Sequence, residues 1–202
     1  MRVIMYSHEQ LKGFIKGEII GKSYPYDTKD EKEIEAYIKQ LYNRMKRIPN
    51  MLCEAEFDHF GSGYASFVEF FCYRREDIRI IKKKEKYGIL EYEIKGILIN
   101  VSRLAPVFIY GEDERNRTVR VETKEEIAGG YSPLPGQTNI FHTDEHFAEM
   151  MYELLQVLKE FKFDPLVKTY ANQVLPFEAD IPTLYREPHE YRVLDALFYW
   201  ED

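Results

Sequence analysis

Residues 141–151, FHTDEHFAEMM, hold the side chains with the clearest potential for chemistry. His142 and His146 are four positions apart, and Glu145 lies between them. On a helix this spacing places both imidazoles on one face, where they can converge on a zinc ion, and the neighbouring carboxylate can act as a general base. The pattern makes His142, His146 and Glu145 candidate metal-site residues.

The five residues from His142 to His146 resemble the H-x-x-E-H motif of the inverted zinc peptidases. The resemblance implies that the two histidines are ligands, that Glu145 is the general base and that a downstream glutamate, Glu178 or Glu187, is the third ligand. It covers these five residues alone.

The same segment also has the features of a helix start. Thr143 and Asp144 are good N-cap residues, and acidic side chains at Asp144 and Glu145 complement the helix dipole. With the cap at either position, His142 lies outside the helix and the histidines lose their common face. We favour this interpretation, and we expect neither a bound metal nor another cofactor.

A second candidate set is Asp77 with Glu93 and Lys95. Its layout is similar to the acidic residue followed by E-x-K in a large family of metal-dependent nucleases, which implies two carboxylates on magnesium and a lysine that positions water. However, residues 90–95 alternate between apolar and charged side chains, as a strand with one wet face does. We favour the strand.

Nucleophilic and redox chemistry find no support in the sequence. There is no serine or cysteine in a G-x-S-x-G frame and no glycine-rich phosphate loop. Cys53 and Cys72 are too few for a disulfide framework, so we predict two reduced, mostly buried thiols.

The charge of the chain is unevenly distributed. Its 28 basic and 35 acidic residues give a net charge of −7, but residues 125–202 hold 15 acidic and 5 basic residues, and residues 1–124 hold 20 and 23. An acidic surface repels phosphate backbones and attracts basic proteins. We therefore expect a basic protein partner and no nucleic acid.

The periodicity of the apolar residues predicts three helices, two in the first 50 residues and one after residue 146. A capping box at Ser7 and Gln10 opens the first helix, and a similar signal at Thr28 and Glu31 opens the second, which Pro49 stops. A long helix with an apolar stripe follows residue 146. Strands are predicted at residues 66–73, 77–82, 89–95, 97–102, 107–110 and 117–122.

These elements predict one α+β domain over residues 1–202. In it, an antiparallel meander of about five or six strands is covered by amphipathic helices, and an extended, proline-containing segment ends the chain. Residues 1–10 lack the apolar core of a secretory signal, and no apolar run reaches the length of a membrane span. We expect a cytoplasmic protein with no membrane contact, present as a monomer or a weak homodimer.

In overall character the chain is similar to bacterial immunity proteins, which are compact, often acidic, aromatic-rich domains that block a toxin enzyme. With 16 Tyr, 13 Phe and one Trp, the chain has many side chains that can anchor an interface, although we expect the C-terminal aromatic residues to dock on the core. The resemblance implies an inhibitory domain that neutralises a basic partner and is not an enzyme. A metal-dependent hydrolase is the alternative, and a structural protein without chemistry is a third possibility. The candidate partner-binding residues are Asp144, Glu145, Glu149, Glu178, Asp180, Tyr185, Tyr191, Tyr199 and Trp200.

Overall fold

Two amphipathic helices open the chain in the computed structural model, which describes residues 5–61, 63–84, 88–130, 140–183 and 186–201. Helix α1, His8–Ile15, begins with the predicted capping box, because Ser7 Oγ accepts the Gln10 N–H and Gln10 Oε1 accepts the Ser7 N–H. Helix α2, Glu31–Met45, is present as predicted, but the predicted start at Thr28 is wrong. Asp30 caps it by accepting the N–H groups of Lys32 and Glu33.

The strands form one large sheet and one small one in the described residues. They are β1 Met51–Glu56, β2 Tyr64–Ala65, β3 Phe67–Arg74, β4 Ile78–Lys84, β5 Ile89–Ser102, β6 Val107–Arg120, β7 Glu126–Gly130, β8 Asp164–Pro165 and β9 Trp200–Glu201. In the large sheet the main order is β1-β3-β5-β6-β7; β4 also pairs with β5, and β8 pairs with β6 as the single parallel neighbour in the described residues. Strands β2 and β9 form a separate antiparallel pair.

The α+β class is confirmed, but the sheet has seven strands and is larger than predicted. Two strands of 14 residues each, β5 and β6, replace four short predicted ones. Gly96, which separates two of the predicted strands, lies inside β5. A Cβ at this position would lie 2.5 Å from the carbonyl oxygen of Cys72. The glycine permits close approach of β3 and does not end the strand.

Helices α2 and α3, Ala148–Glu160, pack beside each other and contribute to the core. Tyr42 of α2 stacks on Phe70 of β3, with ring centroids 5.8 Å apart. Tyr37 of α2 donates its hydroxyl to the carbonyl of Phe161, the residue that follows α3. None of the helices in the described ranges is long and apolar enough to cross a membrane.

The C-terminal segment docks on the core, as predicted. Phe198 and Tyr199 are buried, and the Tyr199 hydroxyl donates to the carbonyl of Phe14 at 3.1 Å. Ser66 donates its hydroxyl to the carbonyl of Leu197. The segment therefore ties α1 to the sheet, while the four-residue helix α4, Lys168–Ala171, packs beside it.

The prediction for the two cysteines is wrong. Cys53 and Cys72 stand opposite each other in the register of β1 and β3, and a disulfide joins them. No strand is predicted at residues 51–56, so the cross-strand position of the two residues could not be foreseen. Residues that face each other across antiparallel strands have their Cβ atoms close enough for a bridge.

One face of the sheet carries a buried ion-pair network. Arg115 of β6 donates to Glu69 Oε1 of β3 at 2.6 Å and to Asp113 Oδ2 at 3.2 Å. The Glu69 side chain is 2% exposed. Its second oxygen and the whole amide of Asn100, its partner across the strands, have no hydrogen-bond partner. Burial raises the pKa of Glu69 to about 7, and Asp113 acts in the same direction, while Arg115 opposes them.

Glu69 makes stability depend on pH. Its folded pKa is raised from 4.5 to about 7, so its stabilising contribution is complete below the lower value and is lost as pH rises through the upper one. We expect the free energy of unfolding to fall by on the order of 3 kcal/mol over this window. Glu69→Gln, which resembles the neutral acid, should remove most of the fall, as measured by urea unfolding at several pH values.

The control is Glu9→Gln, because the Glu9 side chain is 86% exposed. This variant should follow the wild-type pH curve. If Glu69→Gln also runs parallel to wild type, Glu69 does not bind the proton.

Candidate functional site

The HTDEH segment is a helix start. Asp144 has extended backbone angles and precedes a 3-10 turn, Glu145–Phe147, which runs directly into α3. The Phe147 N–H donates to the Asp144 carbonyl at 3.0 Å. His142 therefore lies before the cap and His146 after it, as the favoured interpretation predicted.

The two histidines of the segment have different partners. His142 Nε2 lies 3.2 Å from Asp144 Oδ1, and His146 Nε2 lies 2.8 Å from Asp77 Oδ1. Asp77 belongs to the short turn between β3 and β4. The imidazoles are thus engaged by separate carboxylates, and the structure does not bring them together as the zinc-peptidase resemblance implied.

A different trio of metal-ligating groups does meet here. Glu112 of β6, His142 and Asp144 each offer one atom, and these atoms lie within 4.8 Å of one another; it is the one such group in the described residues. Glu145 and His146, which the motif proposed, are not members. The Asp144 N–H also donates to the Glu112 carboxylate. Local hydrogen bonds at the start of the helix account for all these contacts, so the trio carries no metal assignment.

The structure gives the nuclease-like residues separate partners. Asp77 accepts the Arg74 N–H at 3.0 Å, and its side chain is 5% exposed. Lys95 pairs with Glu114 at 3.5 Å. Glu93 lies opposite Arg79 in the strand register, and it joins no ligand cluster with Asp77 in the described part of the chain.

Five carboxylates form an acidic patch around the start of α3. Arg74 contacts two of them, since its guanidinium donates to Glu149 at 3.0 Å and to Glu153 at 3.2 Å. The side chains of Asp144 and Glu149 are 67% and 76% exposed. The patch consists of Glu112, Asp144, Glu145, Glu149 and Glu153.

Tyr152 is an exposed aromatic residue within the acidic patch. It lies three positions after Glu149, so the two side chains are neighbours on the helix surface. Its exposure is 64%, whereas Met150, Met151 and Leu154 of the same helix are buried. Sequence reasoning missed Tyr152, although its place on the side opposite the apolar stripe was a usable signal.

The other predicted acidic residues lie apart from this patch. Glu178 and Asp180 are exposed. The nearby Phe177 contacts α1, with its ring 6.0 Å from that of His8 and 5.3 Å from Lys12 Nζ. No hydrogen bond or ion pair among the described residues links Glu178 or Asp180 to α3.

The aromatic part of the predicted interface needs correction. Tyr191 and Tyr199 are 5% and 3% exposed. The Tyr191 hydroxyl donates to the Ile181 carbonyl, so its polar end is satisfied inside the protein, as that of Tyr199 is. Trp200 is half-buried against Phe60, with ring centroids 4.9 Å apart. Tyr185 lies outside the described residues.

Comparison with family models, with curated proteins and with solved structures finds no match to this chain.

The Asp77 carboxylate has a structural role that mutation can measure. Asp77→Ala removes the acceptor of the Arg74 N–H and the contact with His146. We expect it to lower the free energy of unfolding by about 1–2 kcal/mol. The neighbouring Glu76→Ala is the matched control, because Glu76 is exposed. Equal stability of the two variants in urea unfolding would contradict the role given to Asp77.

Proposed function

We propose that this chain is a protein-binding domain that captures and neutralises a basic partner through the acidic patch. The observation that carries the proposal is the exposed ring of Tyr152 among the carboxylates of α3. Aromatic side chains are enriched as anchors at the centres of protein interfaces, where a polar rim surrounds them.

The electrostatics support a basic partner. The patch has five carboxylates, and one guanidinium, that of Arg74, contacts two of them. This leaves an excess of negative charge on an exposed surface. Such a surface accelerates encounter with a basic protein and makes the association sensitive to salt.

The exposed face of α3 is also preorganised for binding. The buried side chains of Met150, Met151 and Leu154 hold the helix against the core, and Arg74 restrains Glu149 and Glu153. Binding through an ordered helix loses less conformational entropy than binding through a loop. Tyr152 has two side-chain torsions and contributes a large contact area at small entropic cost.

An inhibitory role of the immunity type fits this arrangement. A toxin enzyme that acts on a polyanion presents a basic surface, and an acidic domain can occupy that surface without chemistry of its own. A cytoplasmic location remains part of this proposal. The Cys53–Cys72 bridge weighs against it, because such bridges are typical of oxidising compartments.

The experiment that tests the proposal is affinity capture from native extract with the wild-type chain and two charge-reversed variants. Glu145→Lys with Glu149→Lys changes the patch, and Glu178→Lys with Asp180→Lys makes the same charge change elsewhere. We expect a stoichiometric basic protein with wild type and the control, and its loss with the patch variant. Equal retention by all three proteins would refute the assignment of the surface.

With the captured partner purified, the patch variant should show an association rate reduced about tenfold or more at low salt, because electrostatic steering is lost. The control pair should bind at a rate close to that of wild type. Stopped-flow or surface-binding kinetics at several salt concentrations measure this difference.

Tyr152 should act mainly on dissociation. We expect Tyr152→Ala to weaken binding by about 2 kcal/mol through a faster dissociation rate, since truncation of an interface anchor removes buried contact area. Tyr24→Ala is the control, because Tyr24 is 54% exposed but lies outside the acidic patch. If both substitutions have the same small effect, Tyr152 is not an anchor.

A further inference from the structure

A small pocket lies between α2, the residues that follow β1 and the turn after β5. Its volume is about 130 Å³, and its polar lining consists of Glu31, Glu35, His59, Tyr64 and Arg103. Pockets for drug-sized ligands are on the order of 300 Å³ or more. This pocket therefore has room for a small polar molecule.

Arg103 is a buried cation without a carboxylate partner. It is 8% exposed, and it donates to the carbonyls of Phe57, Ala65 and Phe67 at 2.9, 2.8 and 2.7 Å. No carboxylate in the described part of the chain forms a direct ion pair with it, and its buried Nε has no hydrogen-bond partner. Burial lowers the pKa of Arg103, and the more distant carboxylates of Glu35 and Glu56 oppose this change. The carbonyl bonds hold the chain between β1 and β3 in place, but they neither use the Nε–H nor neutralise the charge. A buried charge without a counter-ion in direct contact is costly, so a negatively charged group against the guanidinium would be stabilised.

His59 is held in a defined orientation beside Arg103. Its Nδ1 accepts the Ala65 N–H at 2.9 Å and lies 3.3 Å from Arg103 Nη1. Because the Ala65 N–H donates to Nδ1, the neutral ring carries its proton on Nε2. Burial, and then the charge of Arg103, lower the pKa of His59, which favours this neutral form.

The backbone at this site is strained. His59 and Phe60 have φ angles of +52° and +59°, in the left-handed region that residues other than glycine rarely adopt. Two such residues in succession are unfavourable, and strain of this kind is concentrated at binding and catalytic sites. The His59 ring also stacks with that of Tyr64, with centroids 5.4 Å apart.

Two carboxylates of α2 line the same pocket. Glu31 and Glu35 are one helical turn apart, so they lie on the same side of the helix. The hydrogen bond from Lys39 lowers the pKa of Glu35 and keeps it ionised. A simple anion would be repelled by these groups, and a simple cation would be repelled by Arg103. A molecule that carries both charges matches both sets of groups.

We propose that this pocket binds a small zwitterion of the α-amino-acid type, with its carboxylate on Arg103 and His59 and its ammonium group on Glu31 and Glu35. The size of the pocket selects ligands with a short side chain. This site is separate from the acidic patch and does not depend on the protein-binding proposal.

The test compares glycine with acetate and methylammonium, which each carry one of its two charges. Binding to the full chain is followed by the thermal unfolding midpoint and by the NMR resonances of the Ala65 amide and Arg103 Nε–H. We expect glycine to bind at least about tenfold more tightly than either half molecule. Acetate or methylammonium binding as tightly as glycine would overturn the proposal, and so would the absence of any binding.

Variants test which residues bind the ammonium group and the carboxylate of glycine. Glu31→Gln with Glu35→Gln should abolish glycine binding, whereas Glu9→Gln with Glu160→Gln should leave it unchanged. The control pair makes the same charge change at helix-surface acids that contact Lys12 and Arg44, outside the pocket. Arg103→Lys should weaken binding by loss of the planar guanidinium, but Arg103 also holds neighbouring carbonyls, so the glutamate pair is decisive if this variant does not fold. Glycine binding that survives in the glutamate pair would overturn the proposal.

Discussion

The long antiparallel pairing of β5 with β6 is the constraint on which the rest of the structure depends. It runs from Ile89 opposite Arg120 to Val101 opposite Phe108. Each strand is long enough to serve two sets of neighbours, so β5 pairs with β3 along one half and with β4 along the other. A one-residue slip in this register would exchange the two faces of the shifted strand and would place charged side chains in the core.

This pairing also determines where buried charge is located. Arg115 of β6 reaches Glu69 of β3 across the intervening β5, and Asn100 of β5 lies directly opposite Glu69. Just beyond the C-terminal end of β5, Arg103 extends into the residues that follow β1. Both arginines carry charge into regions with little water, where electrostatic interactions are strong and unpaired groups are costly. The ion-pair network shapes stability, whereas Arg103 lines the pocket for which we propose a small ligand.

The acidic patch has a different physical basis, because its charges are exposed. Its strength comes from the number of carboxylates gathered by the start of α3 and the adjacent part of β6, with Glu112 and Asp144 in contact. Arg74 orders part of the patch but does not neutralise it. We therefore propose different ligands for the two sites: a basic surface at the patch and a small zwitterion in the pocket.

The sequence by itself determined the features that depend on neighbouring residues. The capping box at Ser7, the apolar stripes of α2 and α3 and the helix start at Asp144 follow from local spacing, and so does the α+β class. Local spacing could not reveal that Gly96 lies within a continuous strand, because its role depends on the backbone of β3. Only the tertiary structure placed Cys53 against Cys72, buried Tyr191 and Tyr199, and brought His59 to Arg103. These contacts join residues far apart in the chain, and the type of a residue does not determine which distant part of the chain packs against it.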